Sequence, residues 1–383
     1  MEEEEEEEVC SPDFPPGDIK QLLSDCAAAL SENKMDDFDR LIEKASGVVL
    51  DTGEPIHRLG AYVVQGLKAR KLGTGIAIYY GLDSIMVPKS KQILNDICPC
   101  IKYGLLAACG VIAKEMLTEE RIHIIDFQIG MGKQWMHCLR WVASWFATRN
   151  RDAPHVRITG IDIPENEGLE EVARQFAAIS VECKIPIEFE GVRVHGQAVT
   201  LNMLNVRPGE SLFVNFPMLL RCLPDESVDV NNPRDRLLRM VKSLSPKLVT
   251  LVEEQSGTNR ITDFLNRFDY TLDYYLPFFE SIRISQARNI RDRLDADKHC
   301  LGRDIVNIIA CEGKERVVRQ ELHFEWKSRF TSAGFRQYSL RSFQSEIKGH
   351  LRSYSPHYNV IEMYGTLLLS WKSRILISAS AWH

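Results

Sequence analysis

The chain reads as an α/β protein, a doubly wound and mainly parallel sheet with a terminal antiparallel hairpin and an N-terminal helical cap. Three observations predict this. From residue 121 onward, β-branched apolar runs alternate with stretches of helical spacing; a glycine turn joins the first such run directly to a helix; and the stretch before it shows helical spacing alone.

In chain order, residues 2–8 are seven glutamates, which repel one another and bury nothing, so residues 1–18 are expected to form an acidic tail, disordered through about Pro16. Ile19, Leu22, Leu23, Cys26 and Leu30 then form one apolar stripe at helical spacing, and Phe38, Leu41 and Ile42 begin another. Further helices are expected over 56–71 and 93–116, which makes residues 19–118 a helical cap. Its stripes face either the core or a partner. The α/β core is expected over 119–383. It opens with Ile122, Ile124 and Ile125, closed by Asp126, and Gly130-Met131-Gly132 turns the chain into a helix over 134–146. A second strand over 156–162 ends in Asp162. A helix at 169–180, strands at 187–189 and 211–216, a helix at 234–244 and a strand at 248–253 continue the alternation, which implies right-handed crossovers. Two apolar strands, 366–371 and 375–382, are joined by Lys372-Ser373-Arg374 as a terminal hairpin.

A glycine turn with an acid at the end of the next strand is where a doubly wound protein holds a nucleotide. Here the interval to Asp162 is longer than the roughly 20 residues of the dinucleotide pattern, and tight strand-to-helix geometry by itself also requires such glycines. Asn215-Phe216-Pro217 stands at a strand end, where it either positions a reacting group or stops the ladder with its proline. No G-x-S-x-G elbow, P-loop or H-E-x-x-H occurs, so hydrolase and nucleotide-triphosphatase chemistry has no anchor.

With 383 residues, 44% of them hydrophobic, the chain can bury a large core. No apolar run approaches the roughly 20 residues of a membrane span, and the acidic start has no secretory character. The ten cysteines are scattered and expected to be reduced. Cys98, Cys100 and Cys109 lack paired C-x2-C spacing and are expected as small buried hydrophobes rather than metal ligands. The net charge of −6 includes the seven glutamates, so the remaining chain is close to neutral and carries no large phosphate-binding face. Arg283, Arg288, Arg291 and Arg293 are the best local basic patch, but Asp292, Asp295 and Asp297 interleave with them, as in a solvated loop.

Ordered motifs spread along the chain carry a family resemblance. Ile122-His123-Ile124-Ile125-Asp126 resembles the VHIID motif of the plant GRAS transcriptional regulators, with isoleucine in place of the first valine, and Arg157-Ile158-Thr159-Gly160-Ile161 resembles their LRITGI segment. Residues 245–253 look like the P part of their PFYRE region and 274–280 its FY part, while Arg316 and Glu321 bound its RE part. Trp326 and Gly334 stand at W-x7-G spacing, Leu369 and Trp371 make L-x-W, and Ser380-Ala381-Trp382 is a literal SAW. Residues 35–40, 53–60, 234–253 and 300–313 look most similar to the Scarecrow-like branch that includes the phytochrome A signal transduction protein.

The resemblance implies one GRAS domain over 19–383 with a methyltransferase-like sheet. It implies a nuclear regulator of transcription, with a cytoplasmic pool, working in light or hormone signalling without catalysis, cofactor or metal. Its partners would be DNA-binding transcription factors and other GRAS chains, a homodimer included, with weak or indirect DNA contact and none with membranes; the helices of the cap would do the pairing. The family's long N-terminal segment is represented here by about 18 residues, which favours action through partners. Two departures flank the expected crevice: residues 162–168 are short where the branch carries a glycine-rich loop, and Arg221-Cys222 stands where it has two histidines. The alternative is an S-adenosylmethionine-dependent methyltransferase-like enzyme. Gly130 and Gly132 would then meet the methionine part, Asp162 the ribose and Asn215 the reacting group, with Asp126 beside them. An open crevice with free acids would favour that enzyme, and a filled one a scaffold.

Overall fold

A computed structural model describes residues 15–81, 86–284 and 290–383. Eight strands form the main sheet: β1 (Arg121–Asp126), β2 (His155–Asp162), β3 (Ile187–Arg193), β4 (Ser211–Pro217), β5 (Leu248–Glu254), β7 (Tyr358–Met363), β8 (Thr366–Trp371) and β9 (Arg374–Trp382). A two-residue β6 (Gln337–Tyr338) joins β9 from the side. The order is β3-β2-β1-β4-β5-β9-β8-β7, parallel through β5 and antiparallel beyond it. This is the doubly wound sheet with an antiparallel carboxyl end that the spacing predicts. β1, β4 and β5 are almost wholly buried because both faces of a parallel sheet are covered by its crossover helices.

Before β1 come α1 (Pro16–Ser31), α2 (Met35–Val48), α3 (Pro55–Leu72), α4 (Gly75–Gly81), α5 (Met86–Ile97) and α6 (Pro99–Met116). The crossovers are α7 (Lys133–Ala147), α8 (Leu169–Cys183), the single turn α9 (Leu201–Leu204) and α10 (Pro233–Ser243). After β5 follow α11 (Phe264–Ile284), α12 (Ile290–Ala296), α13 (Arg303–Ala310), α14 (His323–Ser332) and α15 (Gln344–Tyr354).

Four features differ from the sequence expectations. The helix expected over 93–116 is two helices, α5 and α6, meeting at 95°; Pro99 supplies the first residue of α6 and bars the residue before it from helical backbone. The terminal hairpin is a three-stranded meander, because β7 precedes it through a turn in which Tyr364 and Gly365 both take positive φ. The helical layer is not made from 19–118 alone, since α11 and α13 pack against α3. Finally, Arg283, Arg291 and Arg293 belong to α11 and α12 rather than to a loop, and Arg293 is partly buried beside Arg58 and Asp297; Arg288, like the acidic run at 2–8, lies outside the described residues.

The cap stripes face inward. Ile19, Leu23 and Cys26 are fully buried, Phe38 and Ile42 nearly so, and all join the same core cluster as Ile122 and Ile124 of β1. A second cluster on the opposite face of the sheet gathers Ile125, Phe216, Trp326 and Trp382. Among the described residues no single helix is long and apolar enough to cross a membrane; α6, the most apolar, is buried against β5, β8 and β9.

Candidate functional site

The carboxyl ends of β1, β2, β4 and β5 meet where the order of the sheet reverses, the place at which α/β sheets open a crevice. A cavity of about 460 Å³ lies there, floored by the glycine turn and walled by α5, α6 and the segment Asp297–Gly302. The two turn glycines serve different ends. Gly130 takes φ +54° and faces open space within the cavity lining, whereas Gly132, at φ +67°, packs so closely on Val172 and Phe176 of α8 that a side chain would press on both. Gly132 therefore meets strand-to-helix packing, not a ligand.

The acids at the strand ends hold the backbone in place. Asp162 accepts hydrogen bonds from the Gly130 N–H (2.8 Å), the Ile163 N–H (2.8 Å) and Asn166 Nδ2 (3.0 Å), tying the glycine turn to the loop after β2. Asp126 accepts from Trp135 Nε1 (2.7 Å), Asn215 Nδ2 (2.8 Å), Gln134 Nε2 (2.9 Å) and the Gln128 N–H (2.9 Å). Burial pushes the Asp126 carboxyl up to about 6 even though these donors favour its charged form. Asn215 in turn accepts from Thr250 Oγ1 (2.7 Å), so Asp126, Asn215 and Thr250, register partners on β1, β4 and β5, form one chain across the sheet. Asn215 clamps strands together; it does not point at a reacting group. The crevice is thus open above Gly130, yet the acids a nucleoside would need are occupied by protein donors.

A cluster of buried charged groups sits at the end of β5. Arg221 contacts Asp304 at 2.5 Å and lies 3.5 Å from Glu254, whose carboxylate also accepts from Gln320. Burial works against the charge of Arg221, but Asp304 and Glu254 hold it firmly protonated. Burial raises the Glu253 carboxyl to about 8 and also raises Glu254, with Arg221 opposing both. Of these residues the sequence singles out Arg221 and, as the last of the 245–253 motif, Glu253; the second acid of the pair that ends the apolar run of β5 is the signal for Glu254.

The motif residues are distributed through the body. Ile122, Ile124 and Ile125 are fully buried. His123 accepts from Arg157 at Nδ1 (2.9 Å), which leaves Nε2 to donate to Thr159 Oγ1 (2.8 Å); burial and the Arg157 charge lower it to about 4, so it is neutral. Glu321 receives Arg329 in a two-pronged pair, both contacts at 2.6 Å, and Arg234 lies 5.1 Å over the Trp326 ring, knitting α10 to α14. Arg316 donates to the Thr258 carbonyl (2.9 Å), and burial with Arg267 and Arg319 nearby lowers it to about 10. Gly334, at φ +91°, ends α14. Trp382 stacks on Phe330 at 4.8 Å and donates to Ser380 Oγ (3.0 Å); Ala381 and Leu369 are buried, and Trp371 donates to Glu280 (2.9 Å). The described cysteines are free thiols, and Cys98, Cys100 and Cys109 are buried with their thiols pushed up by desolvation.

A doubly wound sheet with an antiparallel end, a helical layer over its crevice and these motifs in this order define the class, and the chain belongs to the GRAS domain family, whose model matches residues 19–383. It is 51% identical to "Chitin-inducible gibberellin-responsive protein 1" of Oryza sativa subsp. japonica over 95% of this chain, and spans 65% of that relative's length. It is 44% identical to "Scarecrow-like transcription factor PAT1" of Arabidopsis thaliana, over 95% of this chain and 76% of that one. Among solved structures, SCL7 of Oryza sativa superposes with a TM-score of 0.78 at 27% identity, covering 95% of this chain and 99% of the other.

Proposed function

We propose that the chain is a plant transcriptional regulator that acts in the nucleus, with a cytoplasmic pool, through contacts with other proteins, in light or hormone signalling. The observation that carries this is the GRAS match over nearly the whole chain, with relatives named for gibberellin response and as a transcription factor. In this reading residues 19–383 work as one unit behind an acidic tail at 1–18, the helices of 19–118 meet partners on their outer faces, and 119–383 carry the sheet. Those partners are DNA-binding transcription factors and other GRAS chains, a second copy included. The motif residues act by holding the fold, and no reaction is catalysed. The hydrogen bonds that occupy Asp126, Asp162 and Asn215 favour this reading over a methyltransferase-like enzyme.

Two measurements test it. Fused to a heterologous DNA-binding domain, the chain should change transcription of a reporter in plant nuclei, and S-adenosylmethionine in large excess should leave the melting temperature of the purified protein unchanged. Micromolar binding of S-adenosylmethionine by calorimetry, lost in Asp162→Asn, together with a silent reporter would replace this reading with the enzyme.

A further inference from the structure

The cavity at the strand ends combines an apolar lining with cations that the protein leaves without counter-charge. Ile129, Met131, Leu94, Leu105, Met218 and Leu301 supply the apolar surface, and five lysine and arginine side chains line the same space: Lys91, Lys102, Lys133, Arg221 and Arg303. Lys133 is paired with Asp96 at 3.4 Å, and Arg221 with Asp304. Lys91, Lys102 and Arg303 have no carboxylate partner among the described residues. Arg303 is held in place by Tyr79, donating to its carbonyl (3.0 Å) with the guanidinium 3.9 Å above its ring, and Lys102 donates to the Tyr354 hydroxyl (3.3 Å).

Two further observations place a charge-sensitive end in this cavity. Burial and the Asp304 charge push the Cys300 thiol up, while Lys91, Arg303 and Arg221 oppose them, which places Cys300 in the field of these cations. The segment that carries Cys300 and Leu301 to the wall, Asp297–Gly302, winds as a π-helix between α12 and α13, a geometry that recurs at binding sites. On the acid side four carboxylates line the space, and each has a protein partner: Asp162 takes three N–H donors, Asp96 pairs with Lys133, Asp304 with Arg221, and Glu254 accepts from Gln320 with Arg221 3.5 Å away.

We propose that this cavity binds a small organic anion, its apolar body against Ile129, Met131 and Leu301 and its acidic group between Lys91 and Arg303. The volume lies within the range of roughly 300–1,000 Å³ common to small-molecule sites, and an anion there gains charge-assisted hydrogen bonds beside a largely apolar wall. The proposal is independent of the regulatory reading, because it concerns the chemistry of the cavity and not what occupancy does.

The test uses a matched pair of probes on the full chain: 1-anilinonaphthalene-8-sulfonate and uncharged N-phenyl-1-naphthylamine, titrated by fluorescence and calorimetry. The sulfonate should bind at one equivalent and about tenfold more tightly than the neutral probe, and that preference should shrink as salt is raised. Lys91→Met should erase the preference while leaving affinity for the neutral probe within about twofold. Met131→Trp, which fills the cavity, should abolish binding of both. Equal affinity of the two probes for the wild-type protein overturns the proposal, as does a preference unaffected by salt, or sulfonate binding that survives Met131→Trp. The salt series needs no variant, so the proposal can fail even if Lys91→Met does not fold.

Discussion

Trp382 and Trp371 are each 1% exposed, and each has its indole N–H satisfied. A buried tryptophan cut back to alanine leaves a void that the surrounding strands fill only in part, at a cost of roughly 3–5 kcal/mol. Trp382→Ala should therefore lower the melting temperature by many degrees, and regulation should fall with it; an unchanged melting curve with a silent reporter would make Trp382 an interface residue instead. Glu253 offers a pH test. Its carboxyl is raised by burial from an ordinary 4.5 to about 8, so the folded state prefers the proton, and the stability this contributes is complete below the unfolded value and lost as pH rises through about 8. Glu254 is raised for the same reason and adds in the same direction. His123, lowered to about 4, works the other way and weakens the fold as pH falls below 6.5. Between about pH 6.5 and 8.5 the glutamates dominate. Thermal melts should show falling stability across that window, with a smaller fall in Glu253→Gln; a rise would contradict the assigned direction.

At the scale of elements, α1 and α2 show how a stripe that could have met a partner becomes core. Their apolar faces pack on α3 and α11 and share a cluster with β1, so deleting residues 19–50 strips cover from the centre of the molecule. The expected result is loss of cooperative unfolding by circular dichroism, not a folded remnant that merely lacks a partner. A cooperative melt of the truncated chain would return the stripes to the status of an interface. Helical periodicity reports which face is apolar, but not what covers it. Part of the cover here is α11, which comes from more than 200 residues further along the chain. The glycine turn was legible for the opposite reason: strand, turn and helix are contiguous, so their geometry depends on local residues. Pro99 and the Tyr364-Gly365 turn are equally local signals, and they account for the broken helix and the added strand.

For the whole molecule, charge sets the expectation. Outside the acidic run the chain is nearly neutral, and many arginines are consumed in internal pairs such as Arg58–Asp297, Arg157–Glu210 and Arg329–Glu321. Few are left to release counterions from a phosphate backbone, so the purified protein should bind random duplex DNA weakly at physiological salt, with a shallow dependence on salt concentration. Tight binding that falls steeply with salt would reveal a basic surface assembled elsewhere and would assign DNA contact to this chain rather than to a partner.

The sequence by itself determined the alternation of strands and helices, the parallel order implied by crossovers, the antiparallel end and the motifs that mark the family, because each depends on periodicity or on residues near one another in the chain. It also determined that Asp126 and Asp162 end their strands. Only the tertiary structure decided what those acids do, since the donors that satisfy them come from α7, β4 and neighbouring loops. The same holds for the cavity. The three of its cations without a carboxylate partner belong to α5, α6 and α13, the last some two hundred residues from the first two, and whether a lysine is paired or left facing an apolar wall is settled only when the helical layer closes over the sheet.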